Sequence, residues 1–471
     1  MVFSLVGMMI IARYLPTQDF GAFILTTVMA SFLSEISGFG LSVSLSKFIA
    51  DTQEETYRRK LFNTALYFQI AITIIVSLIA FPLREEIASL FGTALPSSLI
   101  IFVPILFFLQ STFYLLHATL QGFYLFKKIG MSDFINSVLN FVLTCLFVFY
   151  LKAEGIGLLY AKIISALVVL VYLYGSIPIK KRIEFYPNLL TKLLRFGFPL
   201  HINDILSFIF NRIDTVTLGV LLGPTGVAYY EIARKIPDHI RQLYEAFRSV
   251  YFPLISRSFA EGEKEKAAQM LNNALRLISF ATITSALITL LFGEEIVILL
   301  FSEQYLPSVP AFVILMVALN LGLIGYTLGI SVVAVGDSDK PAIVNVVHTL
   351  ASLISNLLLI PALEIVGAAL ASLIGIVATN PLDVMFLRRR HVTVKVMNYL
   401  KPILIFCVHA LIFLLIPQPN LLHKILISLA FFLSSFSLSA INLSDLSILT
   451  SELKPLLLKP LKKLYTGISK S

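Results

Sequence analysis

Two stretches about 210 residues apart, Glu154-Gly155-Ile156-Gly157-Leu158-Leu159-Tyr160-Ala161 and Glu364-Ile365-Val366-Gly367-Ala368-Ala369-Leu370-Ala371, carry Glu, Gly and Ala at matching places. The likeness runs in order along the chain. Ser46-Lys47 and Ala50-Asp51 match Ser256-Arg257 and Ala260-Glu261, Asn63, Ala65 and Leu66 match Asn272, Ala274 and Leu275, and Glu85-Glu86-Ile87 matches Glu294-Glu295-Ile296. Glu35 falls opposite Glu245, and the basic run Lys180 to Arg182 opposite Arg388 to Arg390. One match could be chance; an ordered series reads as a duplication.

The solvent of these two halves follows from composition. Of 471 residues, 58% are hydrophobic and only 13% charged, with a mean hydropathy of +0.89, values outside those of soluble domains. A hydrocarbon core of ~30 Å needs ~20 apolar helical residues per crossing. Apolar runs near 1–15, 21–46, 61–83, 98–120, 133–151, 156–177, 196–222, 226–256, 271–293, 306–334, 341–361, 365–387, 399–416 and 422–446 predict fourteen transmembrane helices. The runs are too long and too continuous for barrel strands. Cys145 and Cys407 sit within apolar runs and suggest neither a disulfide nor a metal site.

Basic residues collect in alternate loops, at Lys47 to Lys60, Lys127-Lys128, Lys180 to Arg195, Arg257 to Lys266 and Arg388 to Lys395, and the intervening loops hold little beyond Arg84, Lys152 and Lys424. By the positive-inside rule this places both termini and the basic loops in the cytoplasm of a plasma-membrane protein. The net charge of +9 is thus a topology signal, met by anionic lipid, and does not call for nucleic acid.

Each repeat holds six spans, an even number. Both therefore insert with the same polarity as parallel repeats, the layout of two lobes around a cleft. The predicted divisions are an N-terminal lobe, 1–185, a C-terminal lobe, 186–395, a helix pair, 396–447, and a basic cytoplasmic tail, 448–471. The first span has about fifteen residues before Leu15-Pro16-Thr17, against a full span before Gly223-Pro224-Thr225. That shortfall predicts a truncated first helix with a native start further upstream.

The eighth span is chemically unusual. Arg234, Asp238, Arg241, Glu245 and Arg248 follow one another at steps of four, three, four and three, which aligns them on one helical face. Each such charge costs roughly 2.5–3.5 kcal/mol at the bilayer centre, so the face is expected to look into a hydrated cavity or a paired interior. Acid and base alternate, which suits an internal ladder of ion pairs. The N-terminal repeat has Ser31 and Gly38 where the C-terminal one has Arg241 and Arg248, so the fold itself does not require those cations. Surplus guanidinium suits a phosphate or diphosphate, because its planar fork grips oxyanions in bidentate fashion.

The seventh span adds Asn211, Arg212 and Asp214, with His201, Asn203 and Asp204 further along. Asp214 and Arg234 lie at similar depth from the Gly223 turn, so a structural or gating pair is expected. Glu35 and Glu245, at equivalent positions, are placed to face each other across the cleft, for proton or sodium coupling or simply for helix–helix hydrogen bonds. Asp337-Ser338-Asp339 beside Gly336 reads as a turn rather than a metal–nucleotide motif. His117, His348 and His409 stand alone on apolar helices, which suggests bundle hydrogen bonds over metal. No phosphate-binding loop is present, and no cofactor is implied.

The segments Ile11-Ala12-Arg13-Tyr14-Leu15-Pro16-Thr17-Gln18-Asp19-Phe20-Gly21-Ala22-Phe23, Leu194-Arg195-Phe196-Gly197-Phe198-Pro199-Leu200, Arg212-Ile213-Asp214-Thr215 and Gly223-Pro224-Thr225-Gly226-Val227-Ala228-Tyr229-Tyr230 resemble the Wzx-type, O-antigen flippases of polysaccharide biosynthesis, within the multidrug/oligosaccharidyl-lipid/polysaccharide exporter superfamily. The resemblance implies an all-α, V-shaped, MATE-like pair of six-helix lobes with a trailing helix pair. It also implies a non-enzymatic flippase that carries a polyprenyl-diphosphate-linked oligosaccharide from the cytoplasmic to the outer leaflet by alternating access. On this reading Arg212, Arg234, Arg241 and Arg248 hold the diphosphate, while Glu35, Asp214, Asp238 and Glu245 serve coupling or gating. An ion-coupled exporter of small organic cations is the rival within transport. A membrane glycan polymerase or ligase is disfavoured by the short outer loops.

Overall fold

The computed structural model describes residues 2–91, 96–337 and 339–441. The basic tail 448–471, the end of the last predicted span and Ser338 lie outside these residues, as do the side chains of Asn203 and Asn211. Regular structure among the described residues is helical: α1 Val2–Tyr14, α2 Thr17–Ile36, α3 Leu41–Ala50, α4 Glu55–Ala80, α5 Arg84–Leu90, α6 Ser97–Ile100, α7 Phe102–Gly122, α8 Phe126–Cys145, α9 Glu154–Ser176, α10 Pro187–Ala260, α11 Lys264–Leu300, α12 Val309–Ala334, α13 Lys340–Arg389, α14 Met397–Leu415 and α15 Leu421–Ser437. Ten helical stretches are long and apolar enough to cross a bilayer. Helix is what a lipid solvent demands, because each backbone amide finds its partner within the segment.

Local chemistry sets the breaks. The run 21–46, expected as one span, is divided into α2 and α3 by the turn before Leu41, where Phe39 and Gly40 take positive φ of 49° and 68°. α10 contains the predicted seventh and eighth spans and is interrupted between them at Gly223 (φ 68°, ψ −168°). α13 likewise joins the eleventh and twelfth, with its break at Glu364 (φ 52°, ψ −130°). Glu154 adopts φ 45° at the start of α9. Two glutamates related by the sequence offset thus share a positive φ, which L-residues avoid. Helix ends recur at nearly the same offset, at Ala50 and Ala260 and at Gly122 and Ala334.

The chain divides into two compact units. One comprises Met1–Ile232, Val297–Ser308 and Asn356–Ala368; the other comprises Ala233–Ile296, Val309–Ser355 and Ala369–Ser471. In the first, α2 and α3 run antiparallel to the first half of α10 along a line of close approaches. A Cβ on Gly21 would lie 1.7 Å from the Pro224 carbonyl oxygen, and one on Gly219 2.6 Å from Leu25 Cδ2. Further along, the Phe32 and Phe208 rings are 5.8 Å apart, and His201 Nε2 meets the Ile36 carbonyl at 3.1 Å. The line ends where a Cβ on Gly40 would lie 2.1 Å from the Gly197 carbonyl oxygen. Small residues let helices approach closely in lipid, where dispersion replaces the hydrophobic effect as the packing force. Leu45, Ile49, Leu61, Phe62, Leu115 and Leu173 are among the residues that fill the core beside them.

In the second unit α10 packs on α12 through buried tyrosines. Tyr244 Oη lies 2.9 Å from Thr327 Oγ1 and Tyr251 Oη 3.0 Å from Ser331 Oγ. Asn320 donates to the Ser279 carbonyl at 2.9 Å and to Thr282 Oγ1 at 2.6 Å, which ties α12 to α11. At the ends of α12 and α13, Arg390 Nε donates to Asp337 Oδ2 at 2.9 Å, and this guanidinium holds the Asp337 carboxyl below its ordinary range. The acidic turn is therefore neutralised by its neighbours, as a turn reading expects.

Candidate functional site: a charged face on α10 and a polar cavity

The charged residues of α10 form short-range pairs. Arg234 Nε donates to Asp238 Oδ2 at 3.2 Å, Arg241 Nη2 lies 3.4 Å from Asp238 Oδ1, and Arg248 Nη1 donates to Glu245 Oε2 at 3.0 Å. The ladder expected from the spacing is present along this face. At about 100° per residue, the charged face sits roughly a quarter-turn from the Tyr244–Tyr251 face that packs on α12. The side chains of Arg241, Glu245 and Arg248 are 43%, 56% and 54% exposed. Leu243 and Val250 are also exposed, on the far side of the tyrosines.

Exposure of both faces has a chemical test, because only one suits water. Cysteines at 241 and 248 are expected to react with small water-soluble thiol reagents in native membranes, and cysteines at Leu243 and Val250 to stay at least tenfold slower. Equal rates would mean that the charged face does not border an aqueous space.

Arg212 belongs to the first unit. It donates through Nη1 to Glu231 Oε1 at 3.1 Å, across the Gly223 break. Asp214 is buried and accepts hydrogen bonds from the Thr215 amide at 2.7 Å and the Thr215 hydroxyl at 3.3 Å. Glu231 was absent from the sequence candidates although, counted from the turn, its depth is within one helical turn of that of Arg212.

Glu35 lines a cavity of about 420 Å³ inside the first unit, with Gln69, Tyr114, His117, Gln121, His201 and Asp204 around it. Ser34, Ser42 and Ser111 add hydroxyls, and the lining holds no lysine or arginine. His117 is therefore not isolated. It belongs to a polar stripe on α7, Gln110, Tyr114, His117 and Gln121, whose steps of four, three and four are the same signal that exposed the α10 face. His409 does hydrogen-bond within the bundle, through Nδ1 to the Ile405 carbonyl at 2.8 Å. Two further intramembrane groups escaped the sequence reading: Lys162 on α9, and Asp383 on α13, which is 3% exposed and packs against Gly329 of α12. Both were legible as charges inside apolar runs, which are rare without a function.

Breaks at glycine and glutamate, intramembrane charge on a helical face and a polar-lined cavity define a helical membrane carrier. Residues 10–310 match the family model described as polysaccharide biosynthesis protein, and the chain belongs to that family. It is 26% identical over 319 residues to the succinoglycan biosynthesis transport protein ExoT of Rhizobium meliloti, an alignment spanning 67% of this chain and 62% of that protein. It is 22% identical over 389 residues to the "probable low-salt glycan biosynthesis flippase" Agl15 of Haloferax volcanii, covering 81% and 79% of the two chains. In fold it is similar to the lipid II flippase MurJ in an inward closed conformation, with a TM-score of 0.64 at 18% identity, over 92% of this chain and 96% of that one.

Proposed function

We propose that this protein is a flippase that moves a polyprenyl-diphosphate-linked oligosaccharide from the cytoplasmic to the outer leaflet of the plasma membrane, for cell-surface glycan assembly. The observation that carries it is the pair of half-exposed guanidiniums, Arg241 and Arg248, on one face of α10, in a chain whose family and relatives are named for glycan biosynthesis and transport. Arg212, Arg234, Arg241 and Arg248 attract the diphosphate, the glycan crosses through a wet cleft, and the lipid tail stays in the bilayer. Fourteen spans in two parallel six-helix lobes, with a trailing pair, supply the rocking units. The recurring helix ends and the positive φ shared by Glu154 and Glu364 support that duplication. Asp214 and Arg234 serve gating, and Glu35 and Glu245 are the groups that would couple transport to a proton or sodium gradient.

The direct test is reconstitution in liposomes with a fluorescent lipid-linked sugar, scored by loss of label from the reach of an impermeant quencher. Protein-dependent translocation is expected, and its absence with folded protein would overturn the reading. One observation favours a second reading. The cavity of the first unit joins Glu35, Asp204 and Tyr114 without a lysine or arginine, a lining that suits a small organic cation. Uptake of a fluorescent organic cation by the same liposomes, without movement of the lipid-linked sugar, would establish that exporter instead.

Orientation follows from the loop charges. Single cysteines at Arg58 and Arg389 are expected to be labelled by an impermeant thiol reagent only after permeabilisation, and one at Lys152 without it. The reverse pattern would invert the topology and the direction of transport with it.

A further inference from the structure

Four helices of the first unit meet around the cavity of about 420 Å³: α2 brings Glu35, α4 Gln69, α7 Tyr114, His117 and Gln121, and α10 Asp204. Its size is that of a small-ligand site, but its chemistry is reversed. Ten of its fourteen lining residues carry a hydrogen-bonding side chain, and only Val43 and Ala118 are aliphatic. Sites for apolar ligands have a few polar groups among many hydrophobic ones.

Much of this hydrogen-bonding capacity is open. The side chains of Glu35, His117, Gln121 and Asp204 make no hydrogen bond or ion pair with other described residues. Tyr114 Oη accepts a hydrogen bond from Gln110 Nε2 at 3.1 Å, which leaves its own proton to give. Carboxylates that accept, amides that do both and a hydroxyl that donates match a ligand with hydroxyls around a ring. Such a ligand also has a C–H face for the single Tyr114 ring. A lipophilic cation is matched less well, because it is held by a cage of several aromatic rings. Glu35 and Asp204 set the sign of the space. With no lysine or arginine in the lining, a sugar acid would meet like charge and no counter-cation.

We propose that this cavity is a saccharide subsite for the glycan of the transported lipid, selective for sugars that bear no negative charge; this rests on the flippase reading and leaves the diphosphate to the arginines of α10. The probes are three undecaprenyl diphosphate lipids, one bare, one carrying a neutral N-acetylated disaccharide and one carrying a disaccharide of uronic acids. Each is titrated into protein held in phosphatidylcholine nanodiscs. The neutral glycolipid is expected to bind about tenfold tighter than the uronic one, or more, because like charges placed together are strongly disfavoured. Gln121 is exposed at the end of α7, so Gln121→Ala should melt like wild type. It is expected to weaken the neutral glycolipid about 3- to 10-fold, the worth of one neutral hydrogen bond. Glu35→Gln with Asp204→Asn is expected to bring the neutral and uronic glycolipids within about threefold of each other.

Equal affinity of the bare and neutral lipids for wild type would overturn the subsite, and equal affinity of the neutral and uronic ones its selectivity. Discrimination that survives in the double variant would overturn the role of the two acids. A second measurement needs no lipid. In a chain with Cys145→Ser and Cys407→Ser, the free N-acetylated disaccharide is expected to slow labelling of Ser42→Cys, on the cavity wall, by a water-soluble thiol reagent. Slowing by tetraphenylphosphonium and not by the sugar would give the cavity to organic cations and overturn the proposal. Slowing by the sugar, in a protein that moves no lipid-linked sugar, would sink the flippase reading and leave the subsite standing. Translocation with no slowing by the sugar and no effect of Gln121→Ala would do the reverse.

Discussion

Arg241→Gln is expected to lower translocation of a lipid-linked sugar by roughly 30- to 150-fold, the loss of about 2–3 kcal/mol that a charge-assisted contact to phosphate supplies. Folding should be nearly unaffected. Asp238 keeps Arg234 at 3.2 Å when Arg241 is removed, so no acid is stranded, and the exposed Arg241 pair contributes at most about 1 kcal/mol. Arg248→Gln should behave alike, because its pair with Glu245 is more than half exposed. The double change Arg241→Gln with Asp238→Asn distinguishes binding from mere charge balance. It removes both partners, restores neutrality and should remain inactive; recovered translocation would show that the arginine only balanced the aspartate. Partial activity in Arg241→Lys would show that charge outweighs the bidentate fork.

The second large effect concerns stability. Gly40→Val is expected to destabilise the protein by about 3–5 kcal/mol, seen as a lower melting temperature and a poor yield of monodisperse protein in detergent. Two terms act together. Gly40 holds φ 68°, which costs a residue with a Cβ roughly 1–2 kcal/mol and a β-branched one more. The new Cβ would also meet the Gly197 carbonyl oxygen at 2.1 Å, and prying two packed helices apart costs typically 1–3 kcal/mol. Gly130→Ala on α8 is the control, since nothing lies within 4 Å of its Cβ position and helix propensity should make it neutral or slightly stabilising. A Gly40→Val protein that melts like wild type would mean that α3 does not meet α10 at Gly197.

Span positions were legible because lipid imposes one rule, about twenty apolar residues in a helix, and Gly223 and Glu364 broke where the predicted spans parted. The division of 21–46 was not, because a turn inside an apolar run is stabilised by a tertiary contact, Gly40 on Gly197, that no local pattern announces. The α10 face was readable since all its members recur on one helix. The cavity was half readable: Glu35, His201 and Asp204 were noticed, whereas Gln69, Tyr114 and Gln121 carry no formal charge and come together only when α4, α7 and α10 pack. Lys162 was overlooked for a different reason, as a single cation in a long run does not disturb hydropathy.

The glycine approaches between α2 and α10 also carry a schedule. A ribosome adds about 5–20 residues per second, so Gly21, made about two hundred residues before Pro224, waits some 10–40 s for its partner. Through that interval the notch at Gly21 on α2, bordered by Leu25 and Phe32, faces lipid and is open to other small-residue helices through the same dispersion forces. Wrong dimers with neighbouring nascent chains are the natural by-product, and slower translation of the stretch before α10 should raise their yield.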